Sequence, residues 1–258
     1  MSLVAFLMLV AGGPVTSAER DMIAYCRSVG VIDGGTRSGA TRIHEGRGVC
    51  FSGEIDDAAA QQFGAALARL GGSPIVVVNT GGGEVDAGLD MADAIAAHQA
   101  TVIVDGICAS SCANYLLPAS SRRVISTNGV LAFHGGAVDI PADALKTLLK
   151  PIAPPDQLDE VVASVRQENA ARLARQSRFE TSVGMRGFFR WMADLDALPP
   201  AEKHRICADE NATSLVFSDA RLRERGLVLH VNNGPKSGPE LSYALAENGV
   251  EWTACYVP

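Results

Sequence analysis

The sequence lacks clustered positive charge. Its 22 Lys and Arg residues stand against 29 Asp and Glu, which gives a formal net charge of −7. Basic residues adjoin one another only in short pairs such as Arg122-Arg123. A nucleic-acid-binding surface needs a basic face. We therefore predict that nucleic acid is not a partner of this protein.

The sequence also lacks an apolar run long enough to cross a bilayer as a mature helix. The N-terminal run Leu3–Ala11 is followed by a Gly-Gly-Pro break and by the small residues Thr16–Ala18, and charge begins at Glu19. This order is typical of a secretory signal peptide and its cleavage site. No Lys or Arg precedes the run, so a buried N-terminal strand or helix is the alternative. We predict a signal peptide over 1–18, a periplasmic or secreted protein, and no stable membrane span after processing.

No pair of cysteines combines the spacing of a zinc site with nearby histidines, so we expect neither a metal nor another cofactor. The six cysteines form an even number, which favours disulfides in an oxidising compartment. Buried thiols are the alternative. Two of them, Cys108 and Cys112, are four residues apart, and a bridge between them would fix the intervening turn.

The chain contains no internal repeat and no low-complexity segment, and 47% hydrophobic with 20% charged residues indicates an ordinary globular protein. Apolar β-branched runs alternate with amphipathic segments, beginning with a short strand at 48–53. Phe63, Ala66, Leu67 and Leu70 then recur at helical spacing. Val76–Val78 lies in a continuous apolar run typical of a strand buried on both faces. This alternation predicts βαβ units of a parallel sheet, with ligands at the carboxyl ends of the strands.

The stretch Gly106–Ala113 is the predicted centre of the site. It reads as a strand, Thr101–Val104, that enters a helix through a turn of small residues, Ala109-Ser110. The first N–H groups of a helix are unpaired and its dipole is positive there, so negative charge that develops nearby would be stabilised. A plain helix N-cap is the alternative role for this serine.

The order of several short motifs resembles the proteolytic subunit of the Clp protease. The motifs are Phe51–Asp56, Val78–Gly83, Gly106–Ala113, Phe133–Gly136, and Phe217–Ala220 with Glu224–Val228. The resemblance covers roughly 47–230 and implies the ClpP/crotonase-like fold, an α/β spiral of ββα units, as one domain. The lead-in 19–46 and a C-terminal extension, 231–258, flank it. More narrowly, the secretory start and the Cys-Ala-Ser-Ser-Cys block resemble those of periplasmic Clp-like proteins.

The resemblance implies Ser110 as the nucleophile and His134 as the general base. A serine hydroxyl is a poor nucleophile until an imidazole accepts its proton. The backbone N–H groups of Gly83 and Ser111 would bind the oxyanion. Ser111 itself is a rival nucleophile, one position further along.

The third member of the triad departs from the family pattern. The position of the orienting aspartate holds Ser214, and the nearest preceding acids are Asp209 and Glu210. Either Asp209 reaches His134 from a shifted loop, or the triad is incomplete. Lys146 and Lys150 offer a Ser/Lys dyad as a further alternative.

The resemblance predicts a serine peptidase that acts through an acyl-enzyme on a peptide or protein substrate, and a homo-oligomer. A non-catalytic binding or scaffold protein with a degenerate triad is the second hypothesis. A crotonase-type acyl-CoA enzyme, which would use the paired amides without the Ser/His pair, is the third.

Overall fold

The structure is a computed structural model that describes residues 13–30, 39–196, 198–207 and 212–258. Its first half contains α1 (Ser17–Ser28), β1 (Ala40–His44), β2 (Gly48–Ser52), α2 (Asp57–Leu70), β3 (Ile75–Thr80), α3 (Val85–Ala97), β4 (Thr101–Ala109), a π-helical turn (Cys112–Leu116), α4 (Leu117–Ala119), β5 (Arg122–Ile125) and β6 (Val130–Ala132). Its second half contains α5 (Ala142–Leu149), α6 (Leu158–Ser182), α7 (Phe188–Asp196), α8 (Pro200–Ile206), β7 (Ser214–Phe217), α9 (Asp219–Glu224), β8 (Val231–Asn232), α10 (Gly238–Glu247) and β9 (Ala254–Val257).

The central sheet confirms the predicted α/β class. Its strands lie in the order β1-β2-β3-β4-β5-β8, and β6 pairs with the second half of β4. All of these pairs are parallel except β1 with β2. A separate parallel pair joins β7 to β9. The sheet is therefore mostly parallel, as the βαβ pattern predicts.

The apolar runs form strands because both faces of the sheet are covered. Val76 and Val78 of β3 belong to the main core beneath α2 and α3, while Val77 packs with Met22 of α1 on the other face. This alternation follows from the two-residue period of a strand. The predicted burial of this strand on both faces is confirmed.

The helices begin and end at residues with clear local causes. At α2, the Asp56 carboxylate accepts the Ala59 N–H at 2.7 Å, and the helix ends at Gly71, whose φ is 63°. Such an N-cap satisfies one of the amides that a helix leaves unpaired. On the predicted apolar face of α2, Phe63, Ala66 and Leu67 are buried.

One strand differs in length from its sequence prediction. The strand predicted to end at Val104 continues to Ala109, because its second half finds a partner in β6. The short strand β8 forms at Val231–Asn232, where it pairs with β5. Neither partner can be identified from local periodicity.

The C-terminal residues form part of the packed structure. Within the predicted C-terminal extension, 231–258, they form β8, α10 and β9. Leu241 and Leu245 of α10 are buried against Ile107 and Val130. The end of the chain therefore supports the strands that lead to the site described next.

The start of the described chain is also packed. Helix α1 has a capping box in which Thr16 and Glu19 each accept the other's backbone N–H. The predicted signal-peptide boundary at residue 18 falls inside this helix. Among the described residues, none of the helices combines the length and the apolar character that a bilayer span needs.

Candidate active site

A bulge in β4 directs the end of this strand toward the site. The register of β3 on β4 passes from Val78 opposite Val104 to Thr80 opposite Cys108, so β4 carries two extra residues. Gly106 adopts a φ of 117°, and a Cβ there would lie 2.5 Å from the Asn79 side chain. The side-chain oxygen Oδ1 of Asn79 accepts the Ile107 N–H at 2.8 Å and so gives this amide a partner where the strand ladder is interrupted. Bulges of this kind re-aim a strand.

Ser110 lies at the turn between β4 and the following helix. Its φ of 53° is left-handed, a conformation that side-chain-bearing residues rarely adopt. Its N–H donates to the Ala132 carbonyl at 3.1 Å, and its carbonyl accepts the Asn114 N–H at 2.8 Å. The side chain is half-buried. The turn therefore presents a hydroxyl at a helix N-terminus, as the sequence predicts.

A disulfide links the two cysteines on either side of this turn. Cys108 and Cys112 are bonded to each other and fully buried. The bond joins the end of β4 to the first turn of the following helix, and Ser110 lies between the two cysteines. Further disulfides join Cys26 to Cys50 and Cys207 to Cys255. Of the two alternatives for Cys108 and Cys112, a bridge or buried thiols, the structure has the bridge.

Ser111 faces away from the position a nucleophile needs. It is 2% exposed, and its hydroxyl donates to the Gly83 carbonyl at 2.7 Å. A hydroxyl that is buried and already donating is poorly placed to attack a substrate. The geometry therefore favours Ser110 over its rival.

The glycine loop after β3 lies against the serine turn. A Cβ on Gly82 would lie 2.6 Å from the Ser110 Cβ and 2.9 Å from the Ser111 nitrogen. Gly83 has a φ of 152° and forms a parallel bridge with Ile55. In that bridge the Ile55 N–H donates to the Gly82 carbonyl, and the Glu84 N–H donates to the Ile55 carbonyl. The Gly83 N–H therefore points away from Ile55. Within the described residues, neither the Gly83 N–H nor the Ser111 N–H has an acceptor.

His134 follows β6 and is anchored to the serine helix through its backbone. The Asn114 side chain donates to the His134 carbonyl at 3.2 Å. The imidazole is exposed and makes no hydrogen bond to any described residue, Ser110 included. The structure therefore places Ser110 and His134 on neighbouring loops, as the predicted pair requires. The hydrogen bond between the Ser110 hydroxyl and the His134 ring is not formed in this structure.

Gln176 of α6 fixes the loop after the histidine. This residue is 4% exposed. The side-chain carbonyl accepts the Ala137 N–H at 2.9 Å and the Tyr115 hydroxyl at 2.7 Å. The side-chain amide donates to the Ala137 carbonyl at 3.1 Å. Burial raises the pKa of Tyr115 far above its ordinary value, which keeps this donor protonated. The long helix thus joins the serine helix and the histidine loop.

A cleft of about 290 Å³ opens beside these loops. Its lining consists of Gly81, Ala109, His134, Thr213, Ser214 and Trp252. The glycine loop, the end of β4, the histidine loop and the C-terminal region all contribute. The cleft therefore stands where the predicted nucleophile turn meets the predicted base.

The predicted orienting acids, Asp209 and Glu210, lie outside the described residues. Within the described part of the chain, no carboxylate contacts the His134 ring. The structure instead brings Ser214 to the cleft. Among the described residues, the position that the family pattern gives to the orienting aspartate thus carries the hydroxyl of Ser214.

The two lysines of the alternative dyad lie away from the cleft. Lys146 pairs with Asp159 at 2.7 Å, and a hydrogen bond from that carboxylate raises the pKa of the ammonium. A raised pKa opposes the neutral amine that a lysine base requires. Lys150 is exposed, and neither lysine lines the cleft.

Sequence reasoning missed the residues that support the site, which are Asn114, Gln176, Thr213 and Trp252. Gln176 reaches the histidine loop only because α6 packs against it, and Trp252 reaches the cleft from the C-terminal region. The polar Asn114 within the apolar run Ala113–Leu117 was the one local signal. A buried amide at such a position demands a partner.

The fold and the cleft define an α/β protein with a serine turn and a histidine loop at the carboxyl ends of parallel strands. The family model of the Clp protease matches residues 36–138. This match covers 103 of 258 residues, counted from 36 through 138, and includes Ser110 and His134. A search of the curated proteins finds no match. The likeness therefore rests on about two fifths of the chain, the part that forms most of the sheet and the serine turn.

Within the residues that the structure describes, no group of three or more His, Cys, Asp or Glu side chains is arranged to hold a metal ion.

Proposed function

We propose that this protein is a serine hydrolase that cleaves peptide bonds through an acyl-enzyme. Ser110 attacks the carbonyl carbon, and His134 accepts the proton of its hydroxyl and later gives it to the leaving amine. The N–H groups of Gly83 and Ser111 hold the oxyanion. The match to the Clp protease family over 36–138 supports this reaction class.

The observation that carries the proposal is the left-handed backbone of Ser110 at the end of β4. Side-chain-bearing residues in this conformation store about 1–3 kcal/mol of strain and cluster at functional sites. A strand-to-helix turn of this kind exposes a nucleophile and aims unpaired amides at the same point. A serine that only capped the helix would not need this conformation.

The His134 ring must move into contact with Ser110 for the reaction to occur. Catalytic hydrogen bonds are often long or absent without substrate and form in the complex. The ring is exposed and unbonded among the described residues, so its side-chain torsions are free to change. Substrate in the cleft would exclude water and favour the contact.

The test is covalent labelling of the whole protein by a fluorophosphonate probe. We expect labelling in the native protein, none in Ser110→Ala, and retained labelling in Ser111→Ala. Ser177→Ala, on the exposed face of α6, is the matched serine control. Labelling that persists in Ser110→Ala, or that disappears in Ser111→Ala alone, would contradict the assignment.

A non-catalytic binding or scaffold protein is the second candidate. The observation that favours it is the missing contact between the His134 ring and any described carboxylate. A folded native protein that neither reacts with the probe nor cleaves peptides, but retains a peptide ligand in the cleft, would support this candidate.

We also propose that the mature protein acts in the periplasm or outside the cell. Three disulfides and the apolar N-terminal run support an oxidising compartment. Cell fractionation with mass measurement of the exported chain tests both the location and the removal of the leader. A homo-oligomer remains a prediction from the resemblance.

A further inference from the structure

A single antiparallel bridge connects the histidine loop to β7. The Phe133 N–H donates to the Leu215 carbonyl, the Leu215 N–H donates to the Phe133 carbonyl, and both bonds measure 2.7 Å. The two residues thus form a hydrogen-bonded pair of an antiparallel ladder. The bridge holds the loop that carries His134 against the start of β7.

The bridge brings His134 and Ser214 close to each other. In an antiparallel pair, the residue after one member lies beside the residue before the other. His134 follows Phe133, Ser214 precedes Leu215, and both residues line the same cleft.

Ser214 is held rigidly in this position. It is 6% exposed, and its strand pairs with β9 from Ser214 opposite Ala254 onward. The disulfide between Cys207 and Cys255 ties the same two segments together. Within the described part of the chain, the Ser214 hydroxyl has no hydrogen-bond partner.

A histidine base needs a partner on its second ring nitrogen. That partner selects the tautomer and directs the other nitrogen toward the nucleophile. A neutral hydroxyl can accept the ring N–H as a carboxylate does, although it stabilises the charged imidazolium less.

We propose that Ser214 is the positioning residue for His134: its hydroxyl accepts one ring N–H, and the other ring nitrogen then faces Ser110. This inference rests on the proposed function, and it completes the pair with a third side chain from a separate strand.

Two other residues of the cleft are less suited to this role. Thr213 donates its N–H and its hydroxyl to the Thr253 carbonyl, at 3.0 and 3.4 Å, so its hydroxyl already has a partner. The indole of Trp252 is a donor only, so it has no acceptor for a ring N–H.

The first readout is the rate of fluorophosphonate labelling at saturating and limiting probe. We expect Ser214→Ala to lower the maximal labelling rate about 10- to 100-fold, which corresponds to the loss of one hydrogen bond to a charged group, with little change in probe affinity. Ser214→Thr restores the rate, because it keeps the hydroxyl. Ser242→Ala, at an exposed position of α10 outside the cleft, is the matched control and labels like the native protein.

Ser214→Asp gives a readout that a merely structural role would not produce. A carboxylate opposite the imidazole favours its protonated form, and the base must be neutral to act. We therefore expect the acidic limb of the rate profile to move to higher pH in this variant.

The second readout, the ¹⁵N spectrum of the His134 ring, does not depend on activity. The chain has five histidines, and His134→Gln identifies the signal. We expect one tautomer in the native protein and a mixture in Ser214→Ala, with each variant shown to be folded by thermal unfolding. Equal tautomer populations in the two proteins would overturn the proposal.

The two readouts separate this inference from the proposed function. A native protein that fails to label, but whose His134 tautomer depends on Ser214, contradicts the hydrolase and supports the positioning contact. A protein that labels normally after Ser214→Ala contradicts the positioning contact and leaves the hydrolase supported.

Discussion

At the scale of single residues, Ser110 has a backbone conformation that would suit glycine. Its φ of 53° brings Cβ close to the backbone, whereas glycine has no such contact. The amides of the next turn and the glycine loop surround the same point. A strained serine at this place indicates that the hydroxyl is needed more than the stability it costs.

Ser110→Gly and Ser110→Ala both remove the hydroxyl, but they differ in strain. We expect Ser110→Gly to be more stable than Ser110→Ala by about 1 kcal/mol, because only alanine retains a Cβ at positive φ. The free energy of unfolding from urea titrations measures the difference. Gly64→Ala, where an added Cβ meets nothing within 4 Å, is the control for an unhindered methyl group. Equal stability of the two Ser110 variants would show that the turn is relaxed.

At the scale of secondary-structure elements, α6 positions the histidine loop. The hydrogen bonds of Gln176 hold the Ala137 backbone, and the Tyr115 hydroxyl holds Gln176 from the serine helix. Arg172 and Arg175 fix the same helix to α3, through Asp86 at 2.8 Å and Asp90 at 2.6 Å. The loop that carries His134 is therefore held by a helix that begins more than 20 residues further along the chain.

Gln176→Leu tests this connection. The change leaves the Tyr115 hydroxyl and the Ala137 backbone without their partners, and each unsatisfied buried group costs about 1–3 kcal/mol. We expect lower stability and slower probe labelling, because the loop that carries His134 is less ordered. Urea titration and labelling kinetics measure the two effects.

Arg166→Leu, at an exposed position of the same helix, is the comparison for that change. Unaltered stability and labelling in Gln176→Leu would show that the histidine loop holds its shape without the helix.

At the scale of the whole molecule, α1 closes the face of the sheet opposite α2 and α3. Glu19 joins it to β5 through a 2.6 Å bond with Arg122, and Arg27 joins it to β4 through Asp105. Burial by itself raises the pKa of Glu19, but the Arg122 guanidinium and the Thr16 amide outweigh it, and the pKa is lowered. The charged pair thus contributes to the free energy of unfolding.

The lowered pKa of Glu19 predicts a dependence of stability on pH. A carboxyl with a depressed pKa in the folded state stabilises the fold above its unfolded pKa, and this stability is lost as pH falls through the folded value. Glu19→Gln should be less stable than the native protein at pH 7, and the difference should shrink as pH falls below about 4.5. Urea titrations at several pH values measure it, with exposed Glu45→Gln as the control. A difference that is constant with pH would exclude this ion pair as its cause.

Much of the fold could be predicted from sequence because its signals are local. Helical spacing identifies α2, and the β-branched run identifies β3 as a strand buried on both faces. The serine turn was predictable for the same reason, since small residues between a strand and a helix leave unpaired amides. Register, the β4 bulge and the partner of the second half of β4 were not predictable, because they depend on contacts between distant segments.

The sequence by itself determined the α/β class, the serine at the strand-to-helix turn and the glycine loop after β3, because each leaves a signal in residues that are neighbours along the chain. Only the tertiary structure decided that Ser111 is buried while Ser110 is half-exposed, that Gln176 holds the histidine loop, and that Ser214 and His134 line one cleft. Those relations arise where strands and helices from separate parts of the chain meet. Hydrogen bonds across such junctions have no periodicity in sequence.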